Sequence, residues 1–338
     1  MDEETRKRYA DLLWAQPDWL RSARTWIEQH ARVSGEIEQV HLRPWSTVLQ
    51  VPTSDGDLFF KASWPDSDFE PALTALLAAG WPERTAEPVA IEPGRGWMLT
   101  RDAGTRLREH IRSAADLRHW ETLLPAYADL QIALAPRVEQ LLALGVPDMR
   151  LPTIPALLEE LLDDSEALSL DLPDGLTSDE LRRMRESLPE LRALCVELAA
   201  YGIPETLQHD DFNDGNVFVR RGTHVFFDWG DACVSHPFHT LVVTLRSVAM
   251  RLDLEPGGTE LLRLRDAYLE PFGVFAGPDA LRDAFELAYR VGTIGRALAW
   301  HRYVKGSDPR YRAEVADAVP YGLQRFLERG PIGTWRWE

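Results

Sequence analysis

From Gly104 to Glu328 the apolar residues of this chain recur at a spacing near 3.6, and that helical rhythm is interrupted at one place, between Pro204 and Asp231. The interruption holds "HDDFNDGN" at residues 209–216, then "VFVR", a turn at Arg221-Gly222 and "HVFFDWGD". One histidine, three aspartates and two asparagines in eight positions make a turn-forming loop, and the two short apolar runs after it read as a hairpin. A chain that abandons helix for one polar loop and one ribbon marks that loop as a place for chemistry, since reactive side chains favour loops held by a rigid scaffold.

Upstream the pattern is different. The first 33 residues read as helical, with Leu12, Leu13, Trp19, Leu20, Trp26 and Ile27 about one turn apart and Pro17 opening a second helix. Strand-like runs "IEQVHL", "STVLQVP" and "DLFFKAS" come next, separated by "RPW" and "TSDGD", where Asp55-Gly56 signals a hairpin. "FEPALTALLAAG" reads as a helix closed by Gly80, and "EPVAIEP" and "GWMLTRD" as two further strands. Beyond Gly104 the spacing predicts helices over 106–144, 154–164, 178–201, 237–252, 259–271, 279–304 and 309–328. At 338 residues the chain exceeds what one core usually supports. The expectation is an α+β chain in two lobes: a small five-stranded antiparallel N-lobe over 1–102 and a larger helical C-lobe over 103–338.

Composition excludes several functions. With 54 acidic against 37 basic residues the net charge is −17, which repels a phosphate backbone and argues against a nucleic-acid partner. No apolar run reaches the roughly 20 residues of a bilayer span, and "MDEETRKRYA" lacks the apolar core of a secretion signal. The expected location is the cytoplasm, with no membrane partner. Cys195 and Cys233 are the only cysteines, too few for a disulfide framework or a thiolate metal cage, and read as buried thiols.

The octet admits three readings. As a calcium loop started at Asp211 it would put Gly215 at an oxygen-ligand position and Gly222 where the bidentate Glu belongs, so the spacing fails. As an HD-type metal phosphohydrolase pair, His209-Asp210 should sit on a helix, but Phe-Asn-Asp-Gly-Asn after it is turn-forming. The third reading is phosphoryl transfer, which needs a carboxylate to orient an acceptor hydroxyl and hard oxygens for magnesium at the nucleotide phosphates. His209, Asp211 and Asn216 supply the first carboxylate and one metal ligand from one loop. Asp228, in "FFDWG" 17 residues beyond Asp211, can return as a second ligand at the end of the ribbon.

"HDDFNDGNVFV" followed by "VFFDWGDA" and "HPF", downstream of a five-strand lobe, resembles the aminoglycoside phosphotransferases, choline kinases and other small-molecule kinases with a bilobal protein-kinase-like fold; the likeness runs from about residue 36 to 305. By that resemblance Asp211 is the catalytic aspartate, Asn216 and Asp228 are Mg2+ ligands, and His209 braces the loop. Relatives carry glycine or arginine where this chain has Asp210. In the third strand Lys61 faces away from Phe60 and, in a kinase fold, would neutralise the phosphates of ATP, with GTP equally open. Glu70 is the carboxylate expected to hold it, or else it stabilises a helix N-terminus beside Pro71. Ser46 and Thr47 could cover the phosphates or form an ordinary hairpin tip, and Thr100, Arg101 and Asp102 would form the adenine-holding hinge.

Helix returns within ten residues of Asp228, leaving no room for a peptide platform, so the acceptor is expected to be a small-molecule hydroxyl. Asp210, Asp214 and Asp231 favour a cationic one, such as an aminoglycoside-like antibiotic, an amino sugar or an amino alcohol. Trp300, His301 and Tyr303 either line its pocket or belong to the core. The alternatives are a kinase-shaped binding protein without turnover and the HD-type phosphohydrolase; the sequence sets no oligomeric state.

Overall fold

The computed structural model describes residues 1–334, so the last four residues of the expected C-lobe lie outside the described residues. Two compact units make up the chain: Met1–Thr105 with Val217–Gly230, and Arg106–Asn216 with the residues from Asp231 onward. The expected division at 102/103 grouped the ribbon with the helices; here the ribbon clusters with the sheet.

In the first unit, β1 (Glu38–Arg43), β2 (Ser46–Val51), β3 (Leu58–Ser63), β4 (Pro88–Glu92) and β5 (Trp97–Arg101) form one sheet in the order β1-β2-β3-β5-β4. All neighbours are antiparallel. Phe60 sits opposite Leu49 on β2 and Leu99 on β5, a row with no more than 1% exposure. The helix Pro17–His30 covers that face: Trp19 and Trp26 meet Phe60 and Trp97 edge-on, with ring centroids 5.6–6.2 Å apart. Each such side chain contributes about 2–3 kcal/mol by burial, so the register of β3 is strongly set. Because successive side chains alternate, fixing Phe60 in this layer fixes Lys61 on the other face.

The ribbon pairs Val217–Arg220 with Thr223–Phe226. Its two-residue turn has positive φ at both Arg221 (51°) and Gly222 (80°), the mirror-image geometry that matches strand twist. Gly104, just after β5, has φ 99°, and a Cβ there would stand 2.2 Å from the Val219 carbonyl oxygen, so only glycine passes the ribbon at that point.

The second unit is helical. Its longest helix, Pro278–Gly306, packs on Ala318–Glu328, where Gly322 permits contact because a Cβ would meet the Thr293 carbonyl oxygen at 2.7 Å. Three predicted helices are split. The stretch 106–144 opens with two short 3-10 turns, then forms the helix Arg118–Leu134 and a separate Val138–Ala143. The stretch 178–201 is two helices, Ser178–Glu186 and Leu188–Ala199, and 309–328 is Pro309–Arg312 and Ala318–Glu328. Pro136 and Pro189 lie at the new starts, where a missing N–H costs nothing but a continuing helix is blocked. Leu13, assigned to an apolar face, is 61% exposed. Three short strands were not anticipated: Thr105–Arg106, and Thr206–Gln208 and Cys233–Ser235, which pair antiparallel. Cys195 and Cys233 are buried free thiols. Among the described residues no helix is long and apolar enough to cross a membrane.

Candidate active site

The polar octet begins where the strand Thr206–Gln208 ends. His209 is fully buried; its backbone N–H donates to the Tyr127 hydroxyl (3.0 Å) and its Nδ1 accepts the Asp211 N–H (3.4 Å). Phe212, the one large apolar residue of the octet, stacks on Tyr127 at 4.2 Å and meets Trp120 edge-on, while its carbonyl accepts from Thr244 Oγ1 (2.6 Å). Held from below in this way, the loop turns Asp211 partly outward, with 31% of its side chain exposed. Asn216 Nδ2 donates to both the Asp211 carbonyl (2.9 Å) and Oδ2 (2.8 Å), so these two expected site residues are brought together. Asn213 shapes the bend between them by accepting the Gly215 N–H at 2.8 Å.

Arg296, from the long helix, was not anticipated. Its Nη2 lies 3.4 Å from Asp211 Oδ1, and its Nη1 reaches Asp210 Oδ2 (3.3 Å), the Asp210 carbonyl (3.0 Å) and Asp231 Oδ2 (3.2 Å). Burial works against its charge, but Asp211, Asp210 and Asp231 together outweigh that and hold its pKa above the ordinary guanidinium value. Burial likewise pushes the Asp210 carboxyl up to about 7, opposed by Arg296. The signal for Arg296 was available: every residue from Val291 to Ala299 is buried, and an arginine inside an all-round buried stretch requires carboxylate partners. Asp210 therefore serves as an anchor for Arg296, from a left-handed backbone turn at φ 61° that an aspartate tolerates.

Within the first unit, the buried Lys61 Nζ lies 2.6 Å from Glu70 Oε1 and 2.5 Å from Asp228 Oδ1. Burial alone would lower the Lys61 pKa, yet Asp228 and Glu70 more than offset it and hold the ammonium charged. Ser63 Oγ donates to Glu70 Oε2 (2.6 Å), and a Cβ on Gly230 would come within 3.3 Å of that oxygen. Asp228 comes just after the ribbon at φ 64°, a left-handed turn that an aspartate tolerates, and 46% of its side chain is exposed. Strand, helix and ribbon thus deliver Lys61, Glu70 and Asp228 to one point. Glu70 acts as the lysine's partner.

The side chains of the other residues expected at the nucleotide lie as follows. Thr47 is fully buried, its hydroxyl donating to the His41 carbonyl (2.8 Å) and accepting from Gln39 (2.9 Å). Ser46 is buried at the start of β2 and Thr100 is buried in β5. Asp102 is exposed and accepts the Gly104 N–H at 2.9 Å, which makes it a turn residue. The three acidic groups expected to attract a cation are all paired: Asp210 and Asp231 with Arg296, and Asp214 with Arg251 (2.9 Å) and Arg108 (3.3 Å). His301 is buried and holds Asp164 at 3.1 Å, Tyr303 is buried, and Trp300 lies beneath the Arg296 guanidinium at 5.0 Å. His209-Asp210 stands in a loop, which contradicts the HD-type arrangement on a helix.

The fold defines a class, the phosphotransferases of kinase-like architecture. A sequence model described as "Phosphotransferase enzyme family" matches residues 79–284. Most of the chain superposes on solved members of that architecture. An ethanolamine kinase from Plasmodium vivax is similar over 97% of this chain and 93% of its own, with 14% identity and a TM-score of 0.61. The amicoumacin kinase hAmiN in complex with AMP-PNP, Ca2+ and Ami covers 99% and 98%, with 12% identity and a TM-score of 0.58. A macrolide 2′-phosphotransferase from Brachybacterium faecium covers 89% and 97%, with 16% identity and a TM-score of 0.57. No curated protein sequence matches the chain. The chain belongs to the phosphotransferase enzyme family.

Proposed function

We propose that the protein transfers the γ-phosphoryl group of ATP, or of GTP in its place, to a hydroxyl of a small molecule. The observation that carries the reading is Lys61, a buried ammonium held by two carboxylates on two other elements. Such an arrangement is an inefficient way to stabilise a fold, because desolvating the charges offsets much of their attraction. It is a direct way to present a fixed positive charge to nucleotide phosphates.

A divalent cation fits the donors present. Among the described residues no cluster of three or more His, Cys, Asp or Glu side chains forms a cage. Mg2+ needs none, since it binds through one or two protein oxygens and completes its shell with phosphates and water. Asn216 directs its amide N–H groups to Asp211, and its Oδ1 accepts from no described residue. Asn216 and Asp228 would hold the ion, which supplies charge neutralisation at the phosphates.

Asp211, oriented by Asn216 and Arg296, accepts the acceptor's hydroxyl proton as its oxygen bonds to the γ-phosphorus and the bond to the β–γ bridging oxygen breaks, releasing ADP. The acceptor is of the kind the class handles: an aminoglycoside-like or other antibiotic, an amino sugar or an amino alcohol. Inactivation of an antibiotic is one role consistent with that range, and the paired carboxylates remove the argument for a cation in particular. The test is a mass-shift screen of such hydroxyl compounds with ATP and Mg2+, and in parallel with GTP. One acceptor should gain a single phosphate with equimolar ADP. Nucleotide binding with no product from any acceptor and no slow hydrolysis would instead indicate a binding protein without turnover.

A further inference from the structure

In the helical unit, between the helices Thr240–Leu252, Pro278–Gly306 and Ala318–Glu328, lies a cavity of about 290 Å3 whose lining includes Arg246, Arg290, Arg296, Arg325, Arg329 and, among the described residues, one acid, Glu286. In a chain of net charge −17 this concentration of guanidinium groups runs against the average. Their neutralisation is uneven, since Arg296 is held by Asp210, Asp211 and Asp231 while the others have fewer partners. Arg290 and Arg329 share a single carboxylate, Glu190, each at 2.8 Å. Arg325 is held by Glu328 at 2.6 Å, and Glu286 is drawn to Arg265 at 3.5 Å. Arg246 pairs with no carboxylate among the described residues and stacks over the Tyr321 ring at 5.1 Å. Backbone shape accommodates the charge: a Cβ on Gly330 would stand 2.0 Å from Arg325 Nη2, so glycine there makes room for the guanidinium.

We propose that this cavity binds a small anion bearing a phosphate or carboxylate group. Guanidinium groups with unshared donors, as at Arg246 and at the Arg290–Arg329 pair, are the donor set that such groups take through paired, charge-assisted hydrogen bonds. Aromatic stacking holds the Arg246 fork in a fixed plane without consuming its donors. At one end of the cavity stands Arg296, which also reaches Asp211. The anion belongs either to the acceptor itself or to a free ion, and the chemistry at the arginines is the same.

The test does not depend on turnover. Inorganic phosphate and glycerol phosphate are titrated calorimetrically into the full chain without nucleotide, and into Arg246→Gln, Arg329→Gln and Arg246→Lys. Both ligands should bind the wild type. Arg246→Gln and Arg329→Gln should each weaken binding by about tenfold, the value of one charge-assisted contact, and Arg246→Lys should retain most of it. Tighter binding of the ester assigns the group to a larger molecule, and equal binding assigns it to the free ion. Wild-type melting temperatures without ligand verify that the variants fold. Undetectable binding to the wild type, or equal affinity in the Gln variants, overturns the site, and a failed acceptor screen has no bearing on either result.

Discussion

Glu70 is fully buried and divides its carboxylate between Lys61 Nζ and Ser63 Oγ, both at 2.6 Å. Replacing it by alanine would leave a buried ammonium with Asp228 as its one remaining carboxylate partner and deprive the Ser63 hydroxyl of its acceptor. Breaking a buried pair from one side costs about 3–5 kcal/mol, and because Asp228 remains, Glu70→Ala is expected near the lower figure. Urea unfolding measures it; a loss below about 1 kcal/mol would mean that the pair contributes no more than a surface contact. Lys61 and Glu70 were legible in the sequence because alternation on β3 fixes the lysine's face and the next helix begins at Glu70. For Arg296 the sequence offered a need but no address: an arginine inside an apolar, small-residue stretch requires carboxylate partners, yet those partners are 65 to 86 residues away in sequence. Thr47 misleads for the opposite reason: a hydroxyl near a hairpin tip looks available until its partners, His41 and Gln39, are seen.

At the scale of elements, the loop is positioned by the strand and helix on its C-terminal side. Ser235 Oγ donates to the Met149 carbonyl (2.7 Å), which leaves its lone pair for the Nδ1–H of His239 (3.0 Å) at the start of the helix Thr240–Leu252. Nε2 is then the deprotonated nitrogen, buried and without a hydrogen-bond partner among the described residues. Gly292 makes room for the ring, as a Cβ there would lie 3.1 Å from His239 Cδ2. Burial pushes His239 down to about 3, and His236 is lowered in the same way. A folded-state pKa below the unfolded value of roughly 6.5 means stability is complete above that pH and declines as pH falls toward 3. At pH 5 the loss from His239 is about 2 kcal/mol. Denaturant unfolding at pH 7.5 and pH 5 should show it in the wild type and show a smaller pH effect in His239→Gln; identical pH effects would remove His239 from the account. Strands β1 to β5 and the ribbon were readable from alternation and turn residues, whereas the three-residue strands beside the octet are too short to carry a period. The helix breaks at Pro136 and Pro189 were written in the sequence, but the apolar spacing runs across both and masked them.

For the whole molecule, the family match over residues 79–284 takes in the octet, the ribbon and Asp228, while β1 to β3 precede it. The first unit carries Lys61, Glu70 and Asp228, and the second carries Asp211, Asn216 and Arg296. The central claim is that the first set serves the nucleotide and that Asp211 serves the acceptor's proton. The most direct measurement compares wild type, Asp211→Ala and Asp228→Ala for calorimetric ATP affinity with and without Mg2+, and for single-turnover phosphoryl transfer to the identified acceptor. Asp211→Ala should bind Mg2+ and ATP nearly as the wild type does while transferring about a hundredfold or more slowly, in the range of general-base groups. Asp228→Ala should lose the metal-dependent part of the affinity. Wild-type transfer by Asp211→Ala, or unchanged metal-dependent affinity in Asp228→Ala, would contradict the account.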